Sequence, residues 1–268
     1  MTSSLIPRSL LFVPGNRPER FEKALKSGAD LVCIDLEDAV APDAKGEARE
    51  AVVAFLKATD ARHVSLRINA PGTQDCAADL LAIADMALPF VMVPKVDTVD
   101  ELDSITTRAP LIPVIESGLS ILNAAAILSQ DRVRMGLFGG GDYAADLGVP
   151  MTFEAFHYAR SHLAACSAAF EKPIFDVPYL DVHDVDGGEA DTRRVADLGI
   201  HCRAAIHPKQ IDAIHAAYTP SDADIAKAQS LRDAYAAAEG NAALHEGKLI
   251  EAPILRAAER ILARAGLL

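Results

Sequence analysis

Residues 111–148, LIPVIESGLSILNAAAILSQDRVRMGLFGGGDYAADLG, decide how the rest of the chain is read. Two short apolar runs, LIPVIE and VRMGLFGGGD, each end in a carboxylate, Glu116 and Asp142, where a buried strand is expected to surface. The segment between them, SGLSILNAAAILSQD, has helical periodicity that places Leu119, Leu122, Ala126 and Ile127 on one apolar stripe. In parallel α/β folds the carboxyl ends of the strands converge on the ligand crevice, so two acids there are candidate ligands for a hard cation that takes oxygen donors. Gly139, Gly140 and Gly141, just before Asp142, would let backbone approach a ligand closely. The alternative is that each acid caps the helix that follows it, a common position for carboxylates.

Similar runs recur on both sides: SLLFVP from Ser9, LVCIDLED from Leu31, VSLRIN from Val64, FVMVPK from Phe90, KPIFDVPY from Lys172 and CRAAIHP from Cys202. With the central pair they make eight strand-like segments separated by helix-like ones. In a chain of 268 residues this alternation predicts a (β/α)₈ TIM barrel over 1–217. The competing doubly wound sheet lacks its usual G-x-G-x-x-G after the first strand. Period-two alternation then sends Val32, Ile34 and Leu36 outward and turns Asp35 and Glu37 into the barrel, with Asp38 at its mouth. By the same rule Ser65, Arg67 and Asn69 point inward, and Lys95 shares an inner face with Val91 and Val93. Such an ionic mouth is where these folds put chemistry.

The composition, 50% hydrophobic and 24% charged, is that of a globular protein. A net charge of −12, no Trp and 5% aromatics argue against a nucleic-acid partner. The longest amino-terminal apolar run, LLFV, is too short for a signal core or a membrane span. Cys33, Cys76, Cys166 and Cys202 have no C-x-x-C spacing, which points to reduced thiols in a cytoplasm.

In the first βα loop, PGNRPERFEKALK, Asn16 is a candidate N-cap, and Arg17, Arg20, Lys23 and Lys26 recur every three residues. That helix start could hold phosphate, or be a solvated face interleaved with Glu19 and Glu22. His207 at the end of the eighth run is either a ligand contact or a structural histidine. Residues 218–268 are not needed to close eight strands. They read as a Ser/Asp-capped helix ended by Gly240, a hairpin-like piece around Gly247 and a final helix, forming a C-terminal lid or oligomerisation segment or a surface helix pair.

Taken in order, RSLLFVPGNRPERFEKA, GADLVCIDLEDAV with KGEAR, LRIN, VPKV, PVIES with LNAAAI, FGGGDYAADLG, AAIHPKQI and EGKLIEAP resemble the citrate lyase beta-subunit-like family, which includes malyl-CoA and citramalyl-CoA lyases. The resemblance runs nearly end to end. It implies a TIM barrel, Mg²⁺, and cleavage or formation of a carbon–carbon bond in a 3-hydroxyacyl coenzyme A thioester, with a 2-oxo acid as the other partner. On this sequence it implies Glu116 and Asp142 as Mg²⁺ ligands, and Arg67 as the residue that pairs with the oxo-acid carboxylate. Glu37 and Asp38 become the acidic pair behind the metal's waters. Phe12, Arg17 and Lys23, with Ile206, His207 and Pro208, match positions on the CoA side. The family's tail motif, G-K-M-I-D, supplies an acid/base to a neighbouring subunit; here it reads GKLIE, so Glu251 stands where Asp is usual. The resemblance implies a homo-oligomer, a trimer or hexamer. The rival readings are a complex-bound subunit acting on an acyl-carrier thioester and a CoA-independent pyruvate-type aldolase.

Overall fold

The computed structural model describes residues 7–59, 61–238 and 241–268. The chain divides into two compact units, Met1–His215 and Ala216–Leu268. In the first unit eight parallel strands close a barrel: β1 (Ser9–Pro14), β2 (Leu31–Asp35), β3 (Val64–Arg67), β4 (Val91–Val93), β5 (Leu111–Ile115), β6 (Gly136–Phe138), β7 (Ile174–Asp176) and β8 (Cys202–Ala205). The helices between them are α1 (Phe21–Leu25), α2 (Lys45–Ala58), α3 (Gln74–Ala82), α4 (Val99–Asp103), α5 (Gly118–Ser129), α6 (Gly140–Leu147), α7 (Phe153–Phe170) and α8 (Val185–Asp197). Helix α9 (Gln210–Tyr218) follows β8 and crosses into the second unit. This is the expected (β/α)₈ architecture. Among the described residues no helix is long and apolar enough to cross a membrane.

Side chains from every strand but β3 fill the barrel interior: Leu10, Leu31, Cys33, Met92, Ile112, Val114, Met135, Leu137, Phe175, Cys202 and Ala204 form one cluster. Register puts Leu66 opposite Val91 and Arg67 opposite Met92. Met92, rather than Val91 or Val93, is therefore the inner residue of β4, which reverses the face expected for that strand. Beyond the strand ends alternation no longer applies. Asn69, expected inside, donates instead to Asp79 on α3 at 2.7 Å and accepts from Lys45 on α2.

Helix α5 also departs from expectation. Ile121, Ala124, Ile127 and Leu128 are buried, whereas Leu119 is 51% and Leu122 71% exposed. The segment is apolar on all sides, so periodicity could not choose its inner face. The helix starts at a Ser117–Ser120 capping box, and packing against the barrel selects the face that carries Ile121, Ala124 and Leu128.

The second unit contains α10 (Asp222–Ala237), β9 (Ala243–His245), β10 (Lys248–Ile250) and α11 (Ala252–Arg264). Ser221 and Asp224 make the capping box of α10. The expected stop at Gly240 lies outside the described residues. Glu246 and Gly247 both have positive φ, 50° and 74°, as a type I′ hairpin turn requires. Ala228, Ala258 and Leu262 are the centre of its small core.

Candidate active site

Asp35 ends β2 pointing inward, is 2% exposed, and organises one side of the mouth. It accepts from Arg67 Nε at 2.7 Å and Nη2 at 2.6 Å, and from the main-chain N–H groups of Glu37 at 2.9 Å and Ala39 at 3.1 Å. A bidentate carboxylate fixes a guanidinium in plane as well as in position. The same acid curls the following loop so that Glu37 turns in, with Oε2 3.2 Å from Arg67 Nη1 and Oε1 2.7 Å from Lys95 Nζ. Burial raises the Glu37 pKa, against the lowering pull of Arg67 and Lys95. Asp38 is exposed and stands 3.4 Å from Lys95 Nζ. Behind the loop, Lys45 donates at 2.9 Å to the carbonyls of both Leu36 and Glu37.

Glu116 follows β5 directly and is 7% exposed. Ser120 Oγ accepts from the N–H groups of Glu116 at 2.9 Å and Ser117 at 2.8 Å, which anchors the backbone at this point. Glu116 Oε1 accepts the main-chain N–H of Lys95 at 2.6 Å. Its other edge lies against Gly139, where any Cβ would collide with Glu116 Cβ and Oε2. Asp142 is exposed and sits in the first turn of α6, four residues beyond the end of β6. Neither acid is an N-cap: Ser117 caps α5 and Gly139 caps α6. Burial first, and then the charges of Asp142 and Glu37, push the Glu116 carboxyl up to about 7, against the lowering effect of the Lys95 N–H.

The donor set is all carboxylate oxygen, crowded with like charge and cradled on glycine, and it fits a hard divalent cation. Among the described residues no three His, Cys, Asp or Glu side chains gather into a complete metal shell. A cation held here by two carboxylates would keep positions open for substrate oxygens and water.

The expected CoA-side residues fall where β1 and β8 are neighbours. The Phe12 ring lies under the Arg67 guanidinium, 5.1 Å from centroid to Cζ. Arg17 and Lys23 are exposed, on the loop after β1 and on α1, and Asn16 is not a cap: Arg17 holds that position for the short turn Pro18–Arg20. Ile206 is 44% exposed, and Gln210 Oε1 accepts the N–H groups of Ile206 at 2.9 Å and His207 at 3.2 Å. Burial and then the charges of Lys209, Lys23 and His183 lower the His207 pKa, so Lys23 and His207 share one positive corner. Glu251 belongs to the second unit, as the N-cap residue of α11, and its side chain makes no capping hydrogen bond.

Lys95 and Lys45 carry more of this site than the sequence reading assigned to them. The sequence signal for Lys45 is the KGEAR segment that follows the acidic LEDAV run. That for Lys95 was a cation next to a proline at a strand end.

Residues 8–208 match the family model described as HpcH/HpaI aldolase/citrate lyase. A citrate lyase subunit beta-like protein of Mycobacterium tuberculosis is 35% identical, covering 96% of this chain and 94% of that protein. An L-malyl-CoA/beta-methylmalyl-CoA lyase of Cereibacter sphaeroides is 31% identical with the same coverage, 96% and 94%. Among solved structures, CitE of Mycobacterium tuberculosis in complex with magnesium, acetoacetate and coenzyme A superposes with a TM-score of 0.89 at 34% identity, over 98% of this chain and 99% of that one.

Proposed function

The chain belongs to the HpcH/HpaI aldolase/citrate lyase family, and from that premise we propose that it is a Mg²⁺-dependent carbon–carbon lyase that cleaves a 3-hydroxyacyl-CoA thioester into an acyl-CoA and a 2-oxo acid, or joins them. The observation that carries the reading is buried Glu116, packed against Gly139 at the end of β5, with the charge of Asp142 near enough to help push its carboxyl up to about 7. The similar L-malyl-CoA/beta-methylmalyl-CoA lyase of Cereibacter sphaeroides, and CitE of Mycobacterium tuberculosis with magnesium, acetoacetate and coenzyme A, support it.

Glu116 and Asp142 hold the Mg²⁺, which supplies Lewis-acid polarisation of the oxo-acid carbonyl when bound. Arg67, its Nε/Nη2 edge fixed by Asp35 and its Nη1 shared with Glu37, turns the N–H groups left over to the substrate carboxylate. Phe12 packs one face of that guanidinium and so limits its swing. Glu37 and Asp38 accept hydrogen bonds from water on the acidic side of the mouth. Arg17 and Lys23 meet the CoA phosphates, and Ile206, His207 and Pro208 line the same approach. Glu251, free of any capping duty, takes the proton: from the thioester α-carbon in condensation, or from the β-hydroxyl in cleavage.

We assign residues 218–268 as a lid that works on a neighbouring subunit, which makes the enzyme an obligate oligomer, a trimer or hexamer by its family resemblance. The exposed Leu119 and Leu122 support an assembly surface on the barrel. Four free, buried cysteines support a reducing cytoplasm. The test is turnover of a panel of 3-hydroxyacyl-CoA thioesters with and without Mg²⁺. Mg²⁺-dependent release of a 2-oxo acid is expected. With the corresponding CoA-free 3-hydroxy acids assayed beside the panel, release of the oxo acid only from those would overturn the assignment in favour of a CoA-independent aldolase. For the lid, an Arg67 variant mixed with a Glu251 variant, each inactive alone, is expected to regain activity after subunit exchange. No recovery despite exchange seen by native mass spectrometry would mean that the tail acts within its own chain or takes no part in the chemistry.

A further inference from the structure

Strict alternation after Met92 would point Val93 outward, Pro94 inward and Lys95 outward. Lys95 reaches the mouth because its backbone is left-handed, with φ of 53°. Only three described non-glycine residues have positive φ, and the other two, Glu171 and Glu246, occupy a helix end and a hairpin turn. A lysine held in this region without a turn or cap to explain it is strain that the surrounding structure must impose.

The conformation makes two sets of contacts at once. It aims the Lys95 main-chain N–H at Glu116 Oε1, 2.6 Å away. It also brings the ammonium to 2.7 Å from Glu37 Oε1 and 3.4 Å from Asp38 Oδ1. Asp142 adds to the field that stabilises this ammonium. One residue thus contacts acids that follow β2 and β5 and lies in the field of a third on α6. Glu116 is held between two backbone surfaces, the Lys95 N–H on Oε1 and Gly139 against Oε2. Arg67 forks onto Asp35 and shares Glu37, 3.2 Å from its Oε2, whereas Lys95 contacts Glu37 and Asp38 together.

We propose that Lys95 is a positioning residue with two separable parts: its left-handed backbone orients Glu116 for the cation, and its ammonium holds the Glu37–Asp38 pair. The inference rests on the Mg²⁺ reading of Glu116 and Asp142 only in its first part. Residues that orient metal ligands from behind are typically worth about 10- to 100-fold in metal affinity.

The backbone part is tested by Mg²⁺ calorimetry on Lys95→Asn and Lys95→Val. Both lose the ammonium, but Asn tolerates the left-handed region and a β-branched residue does not. We expect Lys95→Val, folded by circular dichroism, to bind Mg²⁺ about tenfold or more weakly than Lys95→Asn. Equal affinities would overturn this part. Should Lys95→Val not fold, Lys95→Ala replaces it, with a smaller loss of about threefold expected for the same reason. Wild-type protein that binds no Mg²⁺ would overturn the metal reading itself.

The ammonium part is tested without metal, by thermal unfolding of Lys95→Met, Glu37→Gln and the double variant. Lys95→Met leaves Glu37 buried beside Asp38 with less compensation, so its melting temperature is expected to fall. The same change in the Glu37→Gln background is expected to cost much less. Strictly additive shifts would mean that the two groups do not work as a unit, and would overturn this part whatever the metal result.

Discussion

The barrel carries two buried ionic clusters of similar make-up, and they differ in what they leave unfinished. Between β7, β8 and the outer helices, Arg160 forks onto Asp176 at 2.9 Å on both nitrogens, and Arg203 meets Asp191 at 2.6 Å and Thr192 at 2.9 Å. Two cations face two acids, and the side chains of Arg160, Arg203 and Asp176 are 3%, 2% and 0% exposed. At the mouth, Arg67 and Lys95 face five acids, Asp35, Glu37, Asp38, Glu116 and Asp142, and Lys95 is 47% and Asp38 55% exposed. The outer cluster is balanced in charge and its arginines are almost wholly buried; the inner one has surplus negative charge and members half open to water. A buried ion pair is therefore not by itself the mark of a site. The surplus of acid over base, with access, is.

The largest separation between the clusters comes from removing charge at the metal acids. Glu116→Gln and Asp142→Asn should each lower turnover by about 10³-fold or more, as loss of an ion's direct ligand removes its charge stabilisation. Melting temperatures should stay near or above wild type, because the mouth loses like-charge repulsion. Wild-type Mg²⁺ affinity by calorimetry in both variants would reject these ligands.

Asp176→Asn should do the opposite. It strands Arg160 and part of Arg203, and breaking a buried pair costs about 3–5 kcal/mol. Arg160 Nη1 already has no hydrogen-bond partner among the described residues, so little can compensate. The check is chemical denaturation beside Mg²⁺ calorimetry: stability falls and affinity does not. A drop in affinity in the folded variant would mean that the clusters are coupled.

Arg67→Lys tests the mouth with its charge count unchanged. A lysine cannot keep the fork on Asp35 and also meet a substrate carboxylate, and a misplacement of about 1 Å can lose on the order of 10²-fold in rate. Steady-state kinetics should show the loss in kcat/KM for the oxo acid. Unchanged oxo-acid affinity would leave Arg67 as a scaffold for Asp35 and Glu37 only.

The smallest effect is graded and belongs to pH. Glu116 titrates near 7 when folded, against 4.5 ordinarily. Between those values the folded chain keeps a proton that the unfolded chain has released, so metal-free stability falls as pH rises through this window. Mg²⁺ needs the carboxylate and should bind up to about tenfold more tightly per pH unit, levelling off above about pH 7. Calorimetry at about pH 5.5 and about pH 7.5 reads it. A flat affinity would show that Glu116 is already ionised.

Much of this was legible in residue order. Eight apolar runs at barrel spacing predict the fold, and the parity of LVCID turns Asp35 inward, as found. Glu116 was visible as a carboxylate ending an apolar run. Asp142 was visible too, but through its glycines, and it proves to sit on a helix rather than at the strand's end. Parity misled in two ways: Asn69 follows β3 and bonds the helix layer, and on β4 the inner residue is Met92, so Lys95 reaches the mouth through its own left-handed backbone and not by alternation from Val91 and Val93. Periodicity also failed on α5, where apolar side chains surround the helix and Leu119 and Leu122 end in solvent.

Pattern and composition by themselves determined the barrel, its acidic mouth and the residue types able to hold a hard cation. They could do so because strand alternation and burial act over a few neighbouring residues. Only the tertiary structure decided which acid Arg67 grips, which way Lys95 turns, and that the Arg160–Asp176 cluster lies outside the barrel. Those outcomes depend on groups far apart in sequence: Arg67 and Asp35 are 32 residues apart, and Lys95 and Glu116 are 21. A charge finds its partner through space, and the closed barrel sets which charges can meet.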